Sequence, residues 1–306
     1  MNKGNERYLK NKIRGALYGV AVGDALGAPL EFMEEEEIRD KYGRVTTMIG
    51  GGWLNVRPGE VTDDTQMTMA VALGIEENPE DPVPAIGRRF IEWYNGGPKD
   101  VGGTCEAAIR EAINTHADTR DGWMFAGDIV GLRSEGRNAG NGALMRTIYP
   151  AVYYADSDLR RGMTRDIGRM THSNHKSILA CIEYADAVHA AIFGSHPLYT
   201  VDPEHLNRFA PPSGYVLDSW SNALYAIIFT ESFRDAVIEA VNRGGDADTI
   251  GAITGGLAGA YYGYDAIPEE WIDKLDESLK RDMDRLADVA YNSNVKYYAN
   301  KYNLPE

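Results

Sequence analysis

Apolar and polar residues alternate along this chain mainly with the period of an amphipathic helix. In the segment SFRDAVIEAVNRGG, apolar residues recur at helical spacing, Ser232 and Asp235 form a helix-start box, and Gly244 suits the helix end. No strand-length run of alternating residues competes with such segments, so we predict an all-α fold. The segments predicted to carry its helices are 8–22, 59–74, 82–97, 102–115, 143–152, 157–170, 171–193, 214–230, 232–245, 246–263 and 268–306, the last with two helices.

The helix predicted from Asp246 is rich in glycine. Gly255, Gly256 and Gly259 would each weaken an isolated helix by about 1 kcal/mol relative to alanine. Close approach by a neighbouring helix must offset that loss, so we expect this helix to be buried and central. The first predicted helix also carries a face of small residues suited to close packing, which are Gly15, Ala16, Gly19 and Gly23.

Two acidic clusters stand at predicted helix starts, one within GEVTDDTQ and the other within RGGDADT. Either cluster alone is explained by N-capping, because aspartate and threonine favour the positive end of a helix. Two adjacent aspartates with a threonine exceed what one cap needs, and the same chemistry recurs far along the chain. We therefore predict one shared metal site, with the ligands Thr62, Asp63, Asp64, Asp246, Asp248 and Thr249.

This ligand set contains only oxygen donors, without cysteine. Such a set suits Mg²⁺ or Mn²⁺ and argues against zinc or copper. Two ions are predicted, since ions about 3.5–4 Å apart commonly hold and activate one water. Without cations, several buried aspartates would repel one another.

Six motifs together resemble the ADP-ribosylglycohydrolase family: RGALYGVAVGDALGAPLEF, GEVTDDTQMTMAVA, GNGALMRTIYPAV, THSN, GYVLDS and RGGDADTIGAITGGLAGAYYG. They follow in family order from Arg14 to about Gly263. The resemblance implies one compact, orthogonal multi-helix domain over residues 1–306, with the metal site in a cleft between helices. It also implies two Mg²⁺ or Mn²⁺ ions as cofactors.

The resemblance implies roles for individual residues as well. The implied catalytic carboxylates are Glu31, Asp63, Asp64 and Asp248. The residues implied to bind ADP-ribose are Gly140, Asn141, Gly142, Met145, His172 and Tyr215. A helix predicted to begin near Ala143 would offer free backbone N–H groups to the diphosphate. Arg146 either adds positive charge there or pairs with an acidic neighbour.

Net charge, apolar runs and cysteine content limit the partners and the cellular location that this protein can have. The formal net charge of −15 opposes broad attraction to nucleic acid or to an anionic membrane surface. The longest uncharged run, 249–264, is too short and too rich in glycine for a membrane span of about 20 residues. Cys105 and Cys181 form no disulfide framework or metal motif. We expect a cytoplasmic protein, monomeric, with no membrane partner.

The expected reaction is metal-dependent hydrolytic release of ADP-ribose from a modified protein side chain, of arginine or serine type, or from a small conjugate. Two alternatives remain open. One is a non-catalytic ADP-ribose-binding or structural relative, although such proteins can lose metal ligands and all six candidates are present here. The other is a dimetal phosphohydrolase acting on a nucleotide, which would not release intact ADP-ribose.

Overall fold

The helices predicted from the sequence are present in the structure, except that the one predicted from Ala143 begins only at Ile148. A computed structural model describes residues 3–196, 201, 202, 204 and 206–303. These residues form fourteen α-helices and no sheet, with only isolated β-bridges, which confirms the all-α prediction. The helices are α1 (Lys3–Gly27), α2 (Glu35–Tyr42), α3 (Asp63–Glu77), α4 (Val83–Asn95), α5 (Gly103–Asn114), α6 (Arg120–Arg133), α7 (Ile148–Tyr153), α8 (Ser157–Arg169), α9 (His175–Ile192), α10 (Val216–Ile228), α11 (Phe233–Val241), α12 (Ala247–Tyr262), α13 (Glu269–Ile272) and α14 (Glu277–Tyr302).

The two helices rich in small residues pack directly on each other. Along α1, Gly15, Gly19 and Gly23 face Gly259, Gly255 and Gly251 of α12 in reverse order, so the helices are antiparallel. A Cβ atom added at any of these glycines would lie less than 3.0 Å from backbone of the opposite helix. Backbone therefore touches backbone along almost the whole pair.

Helix α1 is longer than predicted. It continues to Gly27, beside Ala247 at the start of α12, because the face of small residues continues that far. Pro29 then lies in a 3₁₀-helix, Ala28–Leu30, near its first position, where a missing N–H removes no helical hydrogen bond. Glu31 follows in a turn.

The remaining helices surround this pair. Helices α9, α10 and α11 pack against α12, and α14 packs against α1. The C-terminal segment forms α13 and α14 as predicted, and α14 is held by an ion pair between Arg14 Nε and Asp284 Oδ1 at 2.7 Å. The main core cluster extends from Leu9 to Tyr291. Among the described residues, no helix has both the length and the apolarity that crossing a membrane requires.

The segment 195–213, predicted as a surface loop with a short helix, lies partly outside the described residues.

Replacing Gly19 by alanine should destabilise the protein. The added methyl group would meet the backbone of Gly255, which cannot move without displacing α12. Overpacking of this kind lowers the free energy of unfolding by about 1–3 kcal/mol, which exceeds the gain in helix propensity. Urea unfolding followed by circular dichroism measures the change.

Gly162 of α8 provides the matched control, since a Cβ atom there meets nothing within 4 Å. The substitution Gly162→Ala should raise the free energy of unfolding by about 0.5–1 kcal/mol. Equal effects of the two substitutions would contradict close packing of α1 against α12.

Candidate functional site

The two predicted acidic clusters lie beside one cleft between helices. The turn at Glu31 and Phe32, the start of α3, the loop before α5 and the start of α12 contribute to a cavity of about 500 Å³. Most of the predicted site residues line this cavity: Glu31, Asp63, Gly140, Asn141, Gly142, Met145, His172, Asp246, Asp248 and Thr249. Thr62 and Asp64 are buried beside it, 4% and 1% exposed.

Three carboxylates converge in the cleft. Glu31, Asp100 and Asp248 each offer an oxygen within 4.8 Å of the other two. Close by, Oδ1 of Asp64 is buried and accepts no hydrogen bond from any described residue. Converging carboxylates and an unpartnered buried oxygen are costly unless a cation binds them. The donors therefore fit a hard divalent cation.

Burial raises the pKa of every carboxyl group at this site. The pKa of Asp64 and of Asp248 is raised well above its usual range, first by loss of solvent and then by neighbouring carboxylates. The same causes, in the same order, raise the pKa of Asp63 to about 7. Burial raises the pKa of Glu31 to about 8, although a hydrogen bond from Trp53 opposes the shift. The cleft thus concentrates carboxyl groups whose ionised form a bound cation would stabilise.

Asp24, which was not predicted from the sequence, caps the start of α3, so the acidic side chains of the first cluster are not needed as caps. This fully buried carboxylate of α1 accepts hydrogen bonds from the backbone N–H groups of Thr62 at 3.0 Å and Thr65 at 3.1 Å. It also accepts from both threonine hydroxyls, at 2.9 and 2.5 Å. A residue of α1 therefore caps α3, and the carboxylates of Asp63 and Asp64 are left for other partners.

Asn141 joins the second acidic cluster to the loop of the cleft. Its side-chain amide donates to Asp246 Oδ2 at 2.6 Å and to Ser219 Oγ at 2.8 Å. Its backbone N–H donates to the Gly214 carbonyl at 3.1 Å. The carboxylate of Asp246, at the N-terminal end of α12, is thereby held in place.

The helix predicted near Ala143 is not present in that form. Residues 144–146 form a single 3₁₀ turn, and regular helix begins only at Ile148 of α7. The glycines before it instead allow close packing, because Cβ atoms at Gly140 and Gly142 would both lie 3.1 Å from the His172 ring. The loop thus follows the surface of His172, and the dipole of a long helix is not available to a ligand here.

His172 is the end of a buried hydrogen-bond chain. Arg146, fully buried, donates from Nη2 to Thr171 Oγ1 at 2.7 Å, and that hydroxyl lies 2.7 Å from His172 Nδ1. Since an arginine only donates, the arrangement favours donation by the threonine hydroxyl to Nδ1, which leaves the proton of a neutral imidazole on Nε2. Burial, with a contribution from the Arg146 charge, lowers the pKa of His172 to about 3.

Arg146 has neither of the roles considered from the sequence. It does not line the cleft and forms no ion pair with an acidic side chain among the described residues. Its guanidinium instead donates to the Gly142 and Ile167 carbonyls and lies 5.1 Å from the centre of the Phe90 ring. It supports the loop and His172 from behind.

Tyr215 lies outside the main cleft. It lines a neighbouring cavity that shares Thr104, Gly140 and Gly214 with the cleft. Its hydroxyl accepts a hydrogen bond from Lys176 Nζ at 2.9 Å. Contact between Tyr215 and a ligand in the cleft would therefore require that ligand to extend into the second cavity.

Asp100 is the other site residue that sequence analysis missed. It stands alone in GGPKDVGG, without a second acid or a threonine beside it. Its position three residues before α5, a helix that begins at Gly103, was the only local signal. Asp100 comes close to Glu31 and Asp248 only when the chain folds, because the three residues are far apart in the sequence.

Comparison with known proteins connects this geometry to a family. A family model described as ADP-ribosylglycohydrolase matches residues 5–300. The chain is 38% identical over 295 residues to an ADP-ribosyl-[dinitrogen reductase] glycohydrolase of Rhodospirillum rubrum, covering 92% of this chain and 96% of that protein.

Two further relatives support the match. The chain is 30% identical over 284 residues to the ADP-ribosylarginine hydrolase Tri1 of Serratia proteamaculans, covering 87% of this chain and 75% of the relative. A solved structure described as an ADP-ribosylglycohydrolase-related protein complex is similar with a TM-score of 0.79 and 30% identity. That similarity covers 94% of this chain and 99% of the solved one.

Removal of divalent cations should make stability depend on pH. Carboxyl groups with a raised folded-state pKa keep protons that the unfolded chain has released, so their stabilising contribution is present at low pH and lost as pH rises through that pKa. In EDTA, the free energy of unfolding should fall between about pH 5 and pH 9, through the pKa of about 7 for Asp63 and of about 8 for Glu31. Thermal unfolding across this range measures it.

Added Mg²⁺ or Mn²⁺ should reverse the loss, by about 2.7 kcal/mol at 100 times its Kd, and more at pH 8 than at pH 5. The variant Asp248→Asn should respond less. Cation stabilisation that is independent of both pH and Asp248 would count against a cation site here.

Removing the Thr171 hydroxyl should remove the hydrogen bond that fixes the tautomer of the His172 ring. In the wild type, ¹⁵N NMR should show a neutral ring protonated at Nε2 between pH 5 and pH 8. Thr171→Val removes the donor at similar volume and should give a mixture of tautomers, whereas Thr171→Ser should preserve the wild-type spectrum. A wild-type ring protonated at Nδ1 would instead show that the Thr171 hydroxyl oxygen accepts from both Arg146 and His172.

Proposed function

Because this chain belongs to the ADP-ribosylglycohydrolase family, we propose that its acidic cleft cleaves the bond between the anomeric carbon of ADP-ribose and an arginine side chain. The chain is a hydrolase of that family, and its reaction is hydrolytic removal of ADP-ribose from modified substrates. The arginine acceptor is supported by relatives named as ADP-ribosylarginine hydrolases. The observation that carries the site assignment is the convergence of Glu31, Asp100 and Asp248.

The acidic wall of the cleft, formed by the two acidic clusters with Glu31 and Asp100, is proposed to hold two divalent cations, Mg²⁺ or Mn²⁺. The unpartnered oxygen of Asp64 and the raised pKa of the buried carboxyl groups support this. Bound cations would supply Lewis acidity toward ribose hydroxyls and water. The proposed ligands are Thr62, Asp63, Asp64, Asp246, Asp248 and Thr249, with Glu31 and Asp100 beside them.

The second wall of the cleft, formed by the loop 140–142 and His172, is proposed to hold the diphosphate and the proximal ribose. The loop 140–142 exposes backbone at the cleft, and His172 lies against it. A neutral imidazole with Nε2–H would donate to a phosphate oxygen without adding a titrating charge. Met145 contributes apolar surface, while Tyr215 would meet a more distant part of ADP-ribose in the neighbouring cavity.

Proton transfer is assigned to the carboxylates nearest the opening. A water oxygen forms a bond to the anomeric carbon as the bond from that carbon to the arginine nitrogen breaks, through a transition state with positive charge on the ribose. Carboxylates at the site stabilise that charge. Asp100 is the partly exposed member of the converging trio, and with Glu31 it is proposed to accept the proton of the attacking water. The leaving guanidine keeps the electron pair of the broken bond and gains the proton that the carboxylate took from the water, which returns the carboxylate to its starting state.

We propose the same location, domain organisation, partners and oligomeric state as the sequence suggested. Free, buried Cys105 and Cys181 support a reducing, cytoplasmic location. One core cluster reaching from the first helix to the last supports a single domain over residues 1–306. The net charge of −15 supports a protein substrate or small conjugate over nucleic acid. A monomer is proposed.

The reaction is tested by incubating the protein with ADP-ribosylated arginine and serine peptides in Mg²⁺, Mn²⁺ or EDTA, with mass spectrometry of the products. Cation-dependent release of intact ADP-ribose from the arginine peptide is expected. Asp64→Ala and Asp248→Ala should each reduce kcat/KM by at least about 100-fold, because both remove a buried carboxylate from the charge-stabilising wall.

Asp121→Ala, an exposed carboxylate of α6, is the matched control and should retain wild-type activity. Release of phosphate or a nucleoside monophosphate would indicate a phosphohydrolase. Binding of ADP-ribose without turnover of any conjugate would indicate a reader.

A further inference from the structure

Two aromatic rings are exposed beside the acidic trio. Phe32 and Trp53 are 68% and 53% exposed, and their ring centroids are 5.4 Å apart at an angle of 43°. Phe32 lines the cleft directly, next to Glu31 in the chain. Large aromatic side chains exposed as a pair at the edge of a polar cleft are typical of a binding surface.

Phe32 is exposed although its backbone conformation is unfavourable for a large side chain. Its φ of 64° lies in the left-handed region, where a bulky residue is strained. The strained turn is fixed because Phe32 N–H donates to the Gly245 carbonyl at 2.7 Å and Gly245 N–H donates to the Met33 carbonyl at 2.8 Å. A phenyl ring at this position stabilises neither the backbone conformation nor the core. We therefore expect the exposed ring to contact a ligand.

Trp53 is also held in a defined place. Its turn packs closely on the 3₁₀-helix after α1, since a Cβ atom at Gly52 would lie 2.8 Å from Pro29 Cα. The indole Nε1–H donates to Glu31 Oε2 at 2.6 Å. The second ring of the pair is therefore fixed to a carboxylate of the reacting centre.

The chemistry around the rings favours a planar cation. Aromatic faces attract cations, and a guanidinium also stacks on them through its own plane. The carboxylates of Glu31, Asp63 and Asp100 stand at the same end of the cleft and add negative charge. A neutral hydroxyl or ester acceptor would gain from neither feature.

We propose that Phe32 and Trp53 form an acceptor platform that binds the guanidinium of ADP-ribosylated arginine and selects it over neutral acceptors. This inference rests on the proposed function. An acceptor bonded to the anomeric carbon near Glu31 must leave toward solvent past these rings. Phe32 and Trp53 are therefore specificity-determining residues, and neither supplies a proton or a ligand to the reaction.

The test compares Phe32 variants on ADP-ribosylated arginine peptide and on free ADP-ribose, which lacks the acceptor. Phe32→Leu retains apolar bulk but lacks a π face, and its KM for the peptide should rise about 2- to 30-fold. Its Kd for ADP-ribose, measured by calorimetry, should stay at the wild-type value. Phe32→Tyr keeps the ring face and should restore the wild-type KM.

Phe125→Leu is the matched control, since Phe125 is 53% exposed on α6. It should leave both quantities unchanged. An unchanged KM in Phe32→Leu, or an equal loss of affinity for ADP-ribose, would overturn the platform while leaving the hydrolase intact. A wild type that cleaves only serine conjugates would also overturn it. A wild type that releases ADP-ribose from no conjugate would instead refute the proposed function, and the platform would fall with it.

Discussion

Contact between the backbones of α1 and α12 determines where the acidic residues of this protein can meet. Because the helices are antiparallel, the C-terminal end of α1 lies beside the N-terminal end of α12, with Gly27 next to Ala247. Asp24 and Glu31 from one end of the chain thereby reach the neighbourhood of Asp246 and Asp248 from the other. Side chains larger than hydrogen along this seam would separate the helices, and the cleft would lose its geometry.

Capping of α3 by Asp24 extends this organisation to a third element. The start of α3 is fixed to α1 by four hydrogen bonds to one buried carboxylate. Two helix N-terminal ends, those of α3 and α12, therefore lie at one group of carboxylates. Each end carries a partial positive charge of about half an elementary charge. Those charges offset part of the repulsion among the aspartates, and bound cations would offset more.

The parts of the candidate site that depend on local pattern could be predicted from the sequence. Asp63, Asp64, Asp246 and Asp248 were recognisable because adjacent acids at helix starts exceed the needs of capping, and α12 was recognisable as central from its glycines. Asp24 and Asp100 were missed, since each is a lone acid whose partners are brought to it only by folding. The helix near Ala143 was wrong in form because glycines that suit a helix start also suit a loop packed against His172. The position of Tyr215 in a separate cavity depends on long-range packing that no local pattern encodes.

The buried chain from Arg146 through Thr171 to His172 gives the two walls of the cleft different electrical behaviour. Without bound cations, the acidic wall contains carboxyl groups whose charge changes near neutral pH, such as Asp63 with a pKa of about 7 and Glu31 with a pKa of about 8. Burial instead lowers the pKa of His172 to about 3 and leaves that ring uncharged at neutral pH. One wall thus behaves as a titrating surface and the other as a fixed dipole. A change in proton concentration would then alter the charge of one wall, and with it the affinity of that wall for cations, while the hydrogen-bonding pattern of the other wall stays the same.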